Sequence, residues 1–130
     1  MTEYHKPLMD AQSARGGARY ALIIQDEYSK WNQSYATKTR NHEDVVKAFR
    51  RFVPIDLMPK HVYMDNAPEL IKAMAELSWT HDTSTPHRPE TNGRAERAAR
   101  IVKEGTSATL LQSGLPADWW QEAMNCYCFL

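Results

Sequence analysis

The pattern of apolar and polar positions predicts a polar start followed by a pair of strands. Residues 1–17 are mostly polar and contain one proline and a Gly-Gly pair, which is typical of an irregular or edge segment. The apolar run over residues 19–25 predicts a buried strand that ends at Asp26, and residues 31–37 alternate well enough to form its hairpin partner. The first regular structure is therefore expected to be an antiparallel hairpin.

A helix and a second strand are predicted next. Asn41 followed by Asp44 is an N-cap signature, and apolar residues then recur at helical spacing until Pro54 stops the helix. The short apolar run over residues 61–64 predicts a strand with Asp65 at its carboxyl end. The local order is strand, acid and helix.

The last third of the sequence predicts a long loop between helices. A helix with Pro68 in its first turn is followed by residues 82–93, which begin as a possible short strand and become a loop rich in Pro, Asn and Gly. From Arg94 a helix of about five turns is expected to end at Gly114. A final amphipathic helix begins near Pro116 and has no terminator, so we expect the domain to be incomplete.

Length and composition predict one domain without a global charge. The 130 residues, 42% of them hydrophobic, can bury a core, and no linker divides them. We expect a single α/β domain over residues 1–130, with an irregular segment over 1–17 and the core over 18–130. Sixteen basic and sixteen acidic residues give zero formal net charge, so any DNA binding must come from local placement of cations.

Cysteine and histidine positions predict neither disulfides nor zinc. Cys126 and Cys128 lie two positions apart, a spacing that suits neither kind of site, and we expect reduced, buried thiols in an intracellular protein. The five histidines fall on separate predicted elements without a paired ligand motif. No apolar run approaches the length of a membrane span and no signal peptide opens the chain, so a soluble protein without a membrane partner is expected.

Two carboxylates have settings that suit metal binding. Asp65 follows a strand, and Glu96 lies in the first turn of the helix after the long loop. Each alone has an ordinary explanation as a capping or dipole-stabilised residue. Together they fit a divalent cation site, because ligands in α/β sheets gather at the carboxyl ends of strands and Mg²⁺ prefers carboxylate oxygens. Two-metal phosphodiester chemistry needs such a cluster and no covalent nucleophile.

Three segments of the sequence resemble one family. The strings VYMDNAPEL, STPHRPETNGRAERAARIVKEG and LLQSGLPADWWQEAMNCYCFL resemble the integrase core of copia-type retrotransposons, a branch of the retroviral integrase superfamily. The resemblance implies a ribonuclease H-like mixed sheet flanked by helices, here incomplete at both ends. It also implies two Mg²⁺ or Mn²⁺ ions, DNA 3′-end processing and strand transfer, a homo-oligomer, and function in the nucleus.

The resemblance implies a three-acid site of Asp, Asp and Glu. By that pattern Asp65 is the second acid and Glu96 the third. The first acid belongs on the opening strand, where Asp10 is a tentative candidate; the alternative is an opening strand upstream of Met1. Asp26 follows the second strand and is expected to have a turn role.

Other residues acquire DNA-binding roles through the same resemblance. His87 and Asn92 occupy loop positions that touch the DNA end in integrases, although loop chemistry alone also explains them. Arg100 and Lys103 follow Glu96 by four and seven residues, so all three share one helix face. We expect these two cations to contact phosphates, with a salt-bridged surface as the alternative. The resemblance would place a zinc domain upstream, and the histidine spacing predicts that this sequence does not contain it.

Two other functions compete with an active integrase core. The first is a catalytically inactive, truncated or domesticated core that binds DNA or a partner. The second is a ribonuclease H or resolvase-like nuclease on the same fold, against which the TNGRAER segment argues. Whether this chain is itself an active enzyme depends on its first acid.

Overall fold

A computed structural model describes residues 2–5, 14–64, 67–83 and 93–129, with positions 2–5, 82, 83 and 94 described by their backbone alone. The strands are β1 (Thr2–His5), β2 (Tyr20–Gln25), β3 (Asn32–Thr37), β4 (Val62–Met64) and β5 (His81–Thr83). The helices are α1 (His42–Phe52), α2 (Pro68–Leu77), α3 (Gly93–Ser113) and α4 (Trp120–Phe129), and a single 3₁₀ turn over Ala117–Trp119 precedes α4. No described helix is long and apolar enough to cross a membrane.

The strands form one mixed sheet in the order β3-β2-β1-β4-β5. β1 is antiparallel to β2 and parallel to β4. The sequence predicted an irregular segment over residues 1–17, but Thr2–His5 is the central strand of the sheet. The prediction failed because the segment lacks an apolar run. Its place in the sheet comes from pairing with four residues of β2 and with Met64 of β4, whichever side chains it carries.

Alternation along β2 divides the core into two layers. Leu22 and Ile24 pack with apolar residues of α1 and α2 on one sheet face. Ala21 and Ile23 pack on the other face with α3 and α4, where Trp120 and Met124 are buried. Because successive strand residues point to opposite faces, one six-residue strand serves both layers.

Local signals that the sequence offered are confirmed at the helix ends. The side chain of Asn41 accepts a hydrogen bond from the Asp44 backbone N–H at 2.9 Å, which caps α1. α1 ends at Phe52, two residues before Pro54. At the end of α3, Gly114 adopts a positive φ of 73°, a backbone conformation that glycine adopts without steric cost.

α3 and α4 approach closely where Gly105 faces Tyr127. A Cβ atom at position 105 would overlap the Tyr127 ring. Glycine in the middle of a helix costs about 1 kcal/mol relative to alanine, so the residue is retained here against helix propensity. The contact therefore determines how near α4 lies to α3.

Gly105→Ala is expected to lower the free energy of unfolding. Overpacking costs about 1–3 kcal/mol, and about 1 kcal/mol of helix propensity offsets part of it. In a Tyr127→Ala background the same substitution should stabilise the protein, because only the propensity effect is left. Urea denaturation of the four proteins measures both effects. Equal effects of Gly105→Ala in the two backgrounds would show that the Tyr127 ring does not constrain position 105.

Candidate metal centre and nucleic-acid interface

Glu96 lies at the amino end of α3, beside the helix stripe that packs on the sheet. Ala95, Ala98, Ala99 and Val102 are buried in that stripe. The small side chains let the helix lie close to the sheet, where it contacts both β1 and β2. Glu96 itself is exposed, so its carboxylate is accessible to a ligand at this face.

Arg100 and Lys103 extend from Glu96 along the same side of α3. At 3.6 residues per turn the three positions fall within about 60° of one another around the helix axis. The ion pairs among the described side chains join Lys30 to Glu27, Arg40 to Glu69 and His42 to Glu76, and none involves this surface. Glu96 thus forms no salt bridge with Arg100 there. Arg100 and Lys103 are together called the α3 strip below.

The register of β1 places one further acid in this region. Glu3 pairs with Ile23, whose side chain belongs to the layer covered by α3 and α4. Residues that face each other across paired strands share a sheet face, so position 3 lies on the α3 side. The neighbouring residue Thr2 pairs with Met64, which immediately precedes Asp65 in the sequence. β1 therefore brings an acidic residue to the carboxyl end of β4.

Sequence reasoning overlooked Glu3. The first acid was expected to be an aspartate on an apolar opening strand, either Asp10 or a residue upstream of Met1. The opening strand is instead the first described segment of the chain, and Glu3 is its only carboxylate. The signal that was available is the short polar run Thr-Glu-Tyr-His, which contains two residue types favoured in strands.

Several predicted site residues lie outside the described residues. They are Asp10, Asp65, His87 and Asn92. Among the described side chains no group of three His, Cys, Asp or Glu residues is placed to hold a metal ion. Of the acids considered for the centre, only Glu96 has a described side chain. The donor set formed by an acid at position 3, Asp65 and Glu96 consists of carboxylate oxygens, which fits Mg²⁺ or Mn²⁺.

Comparisons with known proteins show what this chain is similar to. The chain is 26% identical over 115 residues to the Gag-Pol polyprotein of avian reticuloendotheliosis virus, covering 82% of this chain and 10% of the polyprotein. It is 28% identical over 118 residues to the retrovirus-related Pol polyprotein from transposon RE2 of Arabidopsis thaliana, covering 86% of this chain and 8% of that protein. It thus spans a tenth or less of these curated relatives. No family model matches.

Solved structures show the same architecture. The HTLV-2 integrase catalytic core domain, in complex with magnesium in a trimeric form, aligns with a TM-score of 0.66 and 18% identity over 98% of this chain and 81% of that one. The catalytic core domain of BIV integrase aligns with a TM-score of 0.63 and 15% identity over 98% and 79%. The fold is that of a retroviral integrase catalytic core. The predicted ribonuclease H-like class is confirmed, and the homologues are retroviral and plant retrotransposon polyproteins.

The two thiols of this integrase-like core have different surroundings. Cys126 is exposed, so the prediction of a buried thiol is wrong there, while Cys128 is buried. Two positions along α4 differ by about 200° around the helix, which places them on opposite sides. Burial raises the pKa of the Cys128 thiol, although a hydrogen bond with Ser34 opposes the shift. Neither cysteine is disulfide-bonded.

Asp26 organises the turn of the β2–β3 hairpin. Its Oδ2 accepts hydrogen bonds from the Ser29 hydroxyl at 2.6 Å and from the Ser29 backbone N–H at 3.0 Å. These bonds to the charged form, the hydroxyl bond foremost, hold the pKa of Asp26 below its ordinary value of 3.8. The geometry confirms the turn role expected for this residue.

Asp26→Asn is expected to reduce stability in a pH-dependent way. Because the folded-state pKa lies below 3.8, the charge stabilises the fold fully above pH 3.8, and this contribution is lost as the pH falls through the folded-state pKa. Urea denaturation across this range should show the two proteins converging in acid. The variant Asp56→Asn serves as a control, because Asp56 is exposed and is in no ion pair among the described side chains. A difference between Asp26→Asn and wild type that stays constant with pH would contradict the role assigned to this charge.

Proposed function

We propose that this chain is the catalytic core of a retroelement integrase, which trims DNA 3′ ends and joins them to target DNA with the help of divalent metal ions. The observation that carries the proposal is the register of β1. It supports a site in which Glu3, as the first acid, adjoins Asp65 beyond the end of β4, with Glu96 contributed from α3 above the same sheet face. Asp65 and Glu96 keep the roles that the family resemblance implies.

The three acids come from separate elements, which suits a site for Mg²⁺ or Mn²⁺. Bound ions of this kind polarise the scissile phosphate and activate an attacking oxygen. The role of Glu3, Asp65 and Glu96 is to hold and orient such ions, and their combined negative charge would repel DNA without them. The HTLV-2 integrase core, solved in complex with magnesium, supports this cofactor class.

The α3 strip supplies the complementary interaction with DNA. Arg100 and Lys103 lie within two turns of Glu96 and form no ion pair among the described side chains, so their charge is available to phosphates. His87 and Asn92, in the loop that precedes α3, are proposed to touch the DNA end. A similar chain is part of the simian T-cell lymphotropic virus intasome (TM-score 0.71, 18% identity, 98% of this chain and 46% of that one), and the HTLV-2 core has a trimeric form, which together support DNA binding and a homo-oligomer. Function in the nucleus is proposed on the family resemblance alone.

Metal-dependent stabilisation tests the three acids. Wild type is expected to gain thermal stability with Mn²⁺, because a ligand that binds only the folded state stabilises it. Glu3→Gln, Asp65→Asn and Glu96→Gln should each remove most of that gain and abolish strand transfer. Glu3→Asp, which keeps a carboxylate, should retain the gain. Differential scanning fluorimetry with and without Mn²⁺ gives the comparison.

Asp10→Asn is the matched control for these variants. It removes one carboxylate from the same amino-terminal segment and should leave the Mn²⁺ effect unchanged. If Asp10→Asn loses the Mn²⁺-dependent stabilisation and Glu3→Gln keeps it, Asp10 is the first acid and the assignment of Glu3 is wrong.

The second candidate function is a DNA-binding core without catalytic activity. One feature favours it: the opening strand carries a glutamate where the resemblance implies an aspartate. The additional methylene adds rotamer freedom that metal binding must restrict. In this case wild type would show no Mn²⁺-dependent stabilisation and no strand transfer, yet would bind DNA through the α3 strip.

DNA binding itself is tested by salt titration. Arg100→Ala with Lys103→Ala should weaken binding for all sequences equally and reduce the log–log salt slope by about 0.9 per lost phosphate contact. Lys60→Ala with Lys72→Ala removes the same charge from exposed positions elsewhere and should leave the slope near wild type. Fluorescence anisotropy of a labelled duplex measures the slopes. If both double variants behave alike, the α3 strip does not hold DNA.

A further inference from the structure

The hydroxyl group of Tyr63 is buried and has no hydrogen-bond partner among the described residues. Tyr63 is the middle residue of β4, between Val62 and Met64. Both neighbours belong to the core layer formed with α1 and α2. Because successive strand residues point to opposite faces, Tyr63 lies on the other face of the sheet, which α3 and α4 cover. This is also the face on which position 3 lies.

The Tyr63 hydroxyl needs an acceptor on this face. Buried hydroxyl groups in folded proteins are almost always hydrogen-bonded, because burial removes their contacts with water. Glu96, at the amino end of α3, has a described side chain and does not accept this bond. Three other acids belong to this region: Glu3 on β1, Asp82, which pairs with Tyr63 from β5, and Asp65, two residues after Tyr63. The acceptor is therefore sought among these three.

Strand register places position 3 within reach of Tyr63. Thr2 pairs with Met64, so position 3 lies one step beyond this pair and position 63 one step before it. Such diagonal neighbours on adjacent strands are about 7–8 Å apart, a separation that aromatic and long side chains bridge. The hydroxyl of a tyrosine stands far above the sheet, and an aspartate ends one methylene lower than a glutamate. Glu3 is therefore the acid whose length suits this donor.

We infer that Tyr63 is a positioning residue of the candidate centre, whose hydroxyl donates a hydrogen bond to the Glu3 carboxylate and orients it for metal binding. The inference rests on the proposed function, in which Glu3 is the first acid. A glutamate has one more rotatable bond than the aspartate that the resemblance implies, and ordering it costs entropy. A hydrogen bond from a ring held on a neighbouring strand restricts that freedom before the metal binds. Partners of this kind typically change metal affinity by about 10–100-fold.

Tyr63→Phe is expected to weaken Mn²⁺ binding by about tenfold or more. The substitution removes the hydroxyl group and keeps the ring, so packing on the sheet is retained. Tyr35→Phe is the matched control, because the chemical change is identical and Tyr35 packs against the opposite core layer. Isothermal titration calorimetry gives the Mn²⁺ dissociation constants, and melting temperatures without metal show that each variant is folded. An unchanged Mn²⁺ affinity in Tyr63→Phe would overturn the inference.

A double-mutant cycle with Glu3→Asp identifies the acceptor. An aspartate at position 3 ends one methylene short of the Tyr63 hydroxyl, so Tyr63→Phe should change Mn²⁺ affinity by less than about twofold in that background. A tyrosine with only a structural role would give the same loss in both backgrounds, which would contradict the inference. In an Asp82→Asn background the loss caused by Tyr63→Phe should persist. Its disappearance there would assign the hydroxyl to Asp82 and reject the role of Glu3 as its acceptor.

The same titrations separate the role of Tyr63 from the proposed function. If Glu3→Gln loses Mn²⁺ binding while Tyr63→Phe keeps it, the first acid stands and the positioning role is wrong. If Glu3→Gln loses Mn²⁺ binding and the effect of Tyr63→Phe depends on the glutamate, both are supported. If wild type binds no Mn²⁺, both fail.

Discussion

The pairing of β1 with β2 on one side and with β4 on the other is the constraint on which the rest of the molecule depends. Among the described strands, β1 alone joins the hairpin of β2 and β3 to the parallel pair of β4 and β5. β1 contributes four residues, and its register with β2 determines which of them lie on the α3 side. A shift of one position would move Glu3 to the opposite face, because side chains alternate. The same pairing thus completes the sheet and selects the residues of the candidate site.

The elements with strong local signals could be predicted from the sequence. The β2–β3 hairpin, the cap at Asn41, the stop at Pro54 and the end of α3 at Gly114 all follow from short-range rules on periodicity, capping and turn chemistry. Asp26 was also assigned correctly, since a short acidic side chain after a strand has a common turn geometry.

β1 could not be predicted in the same way, because its signal is not local. A strand that lies between two others in a sheet needs no apolar sequence of its own when its pairing is provided by segments far along the chain, here at residues 20–25 and 62–64. The β-propensity of the segment then says less about whether it forms a strand than its tertiary context does. The predicted irregular beginning also led to Asp10 or an upstream aspartate as the candidate first acid, whereas the observed strand contains Glu3. Which surfaces carry unpaired cations was likewise beyond the sequence, since pairing depends on contacts between elements.

The contact between Gly105 and Tyr127 has a mechanical consequence for the candidate centre. Residue 105 is nine residues from Glu96, about 13 Å along the helix axis. α4 is itself attached to β3, where the Ser34 hydroxyl donates a hydrogen bond to Asn125 at 3.1 Å. If the Tyr127 ring pushed α3 into a tilt of about 4°, simple geometry would move the far end by about 1 Å, a displacement of the size that costs catalytic sites much of their rate. Packing of Gly105 against Tyr127 therefore limits how far α3 can tilt, and with it the position of Glu96 at the amino end of the helix.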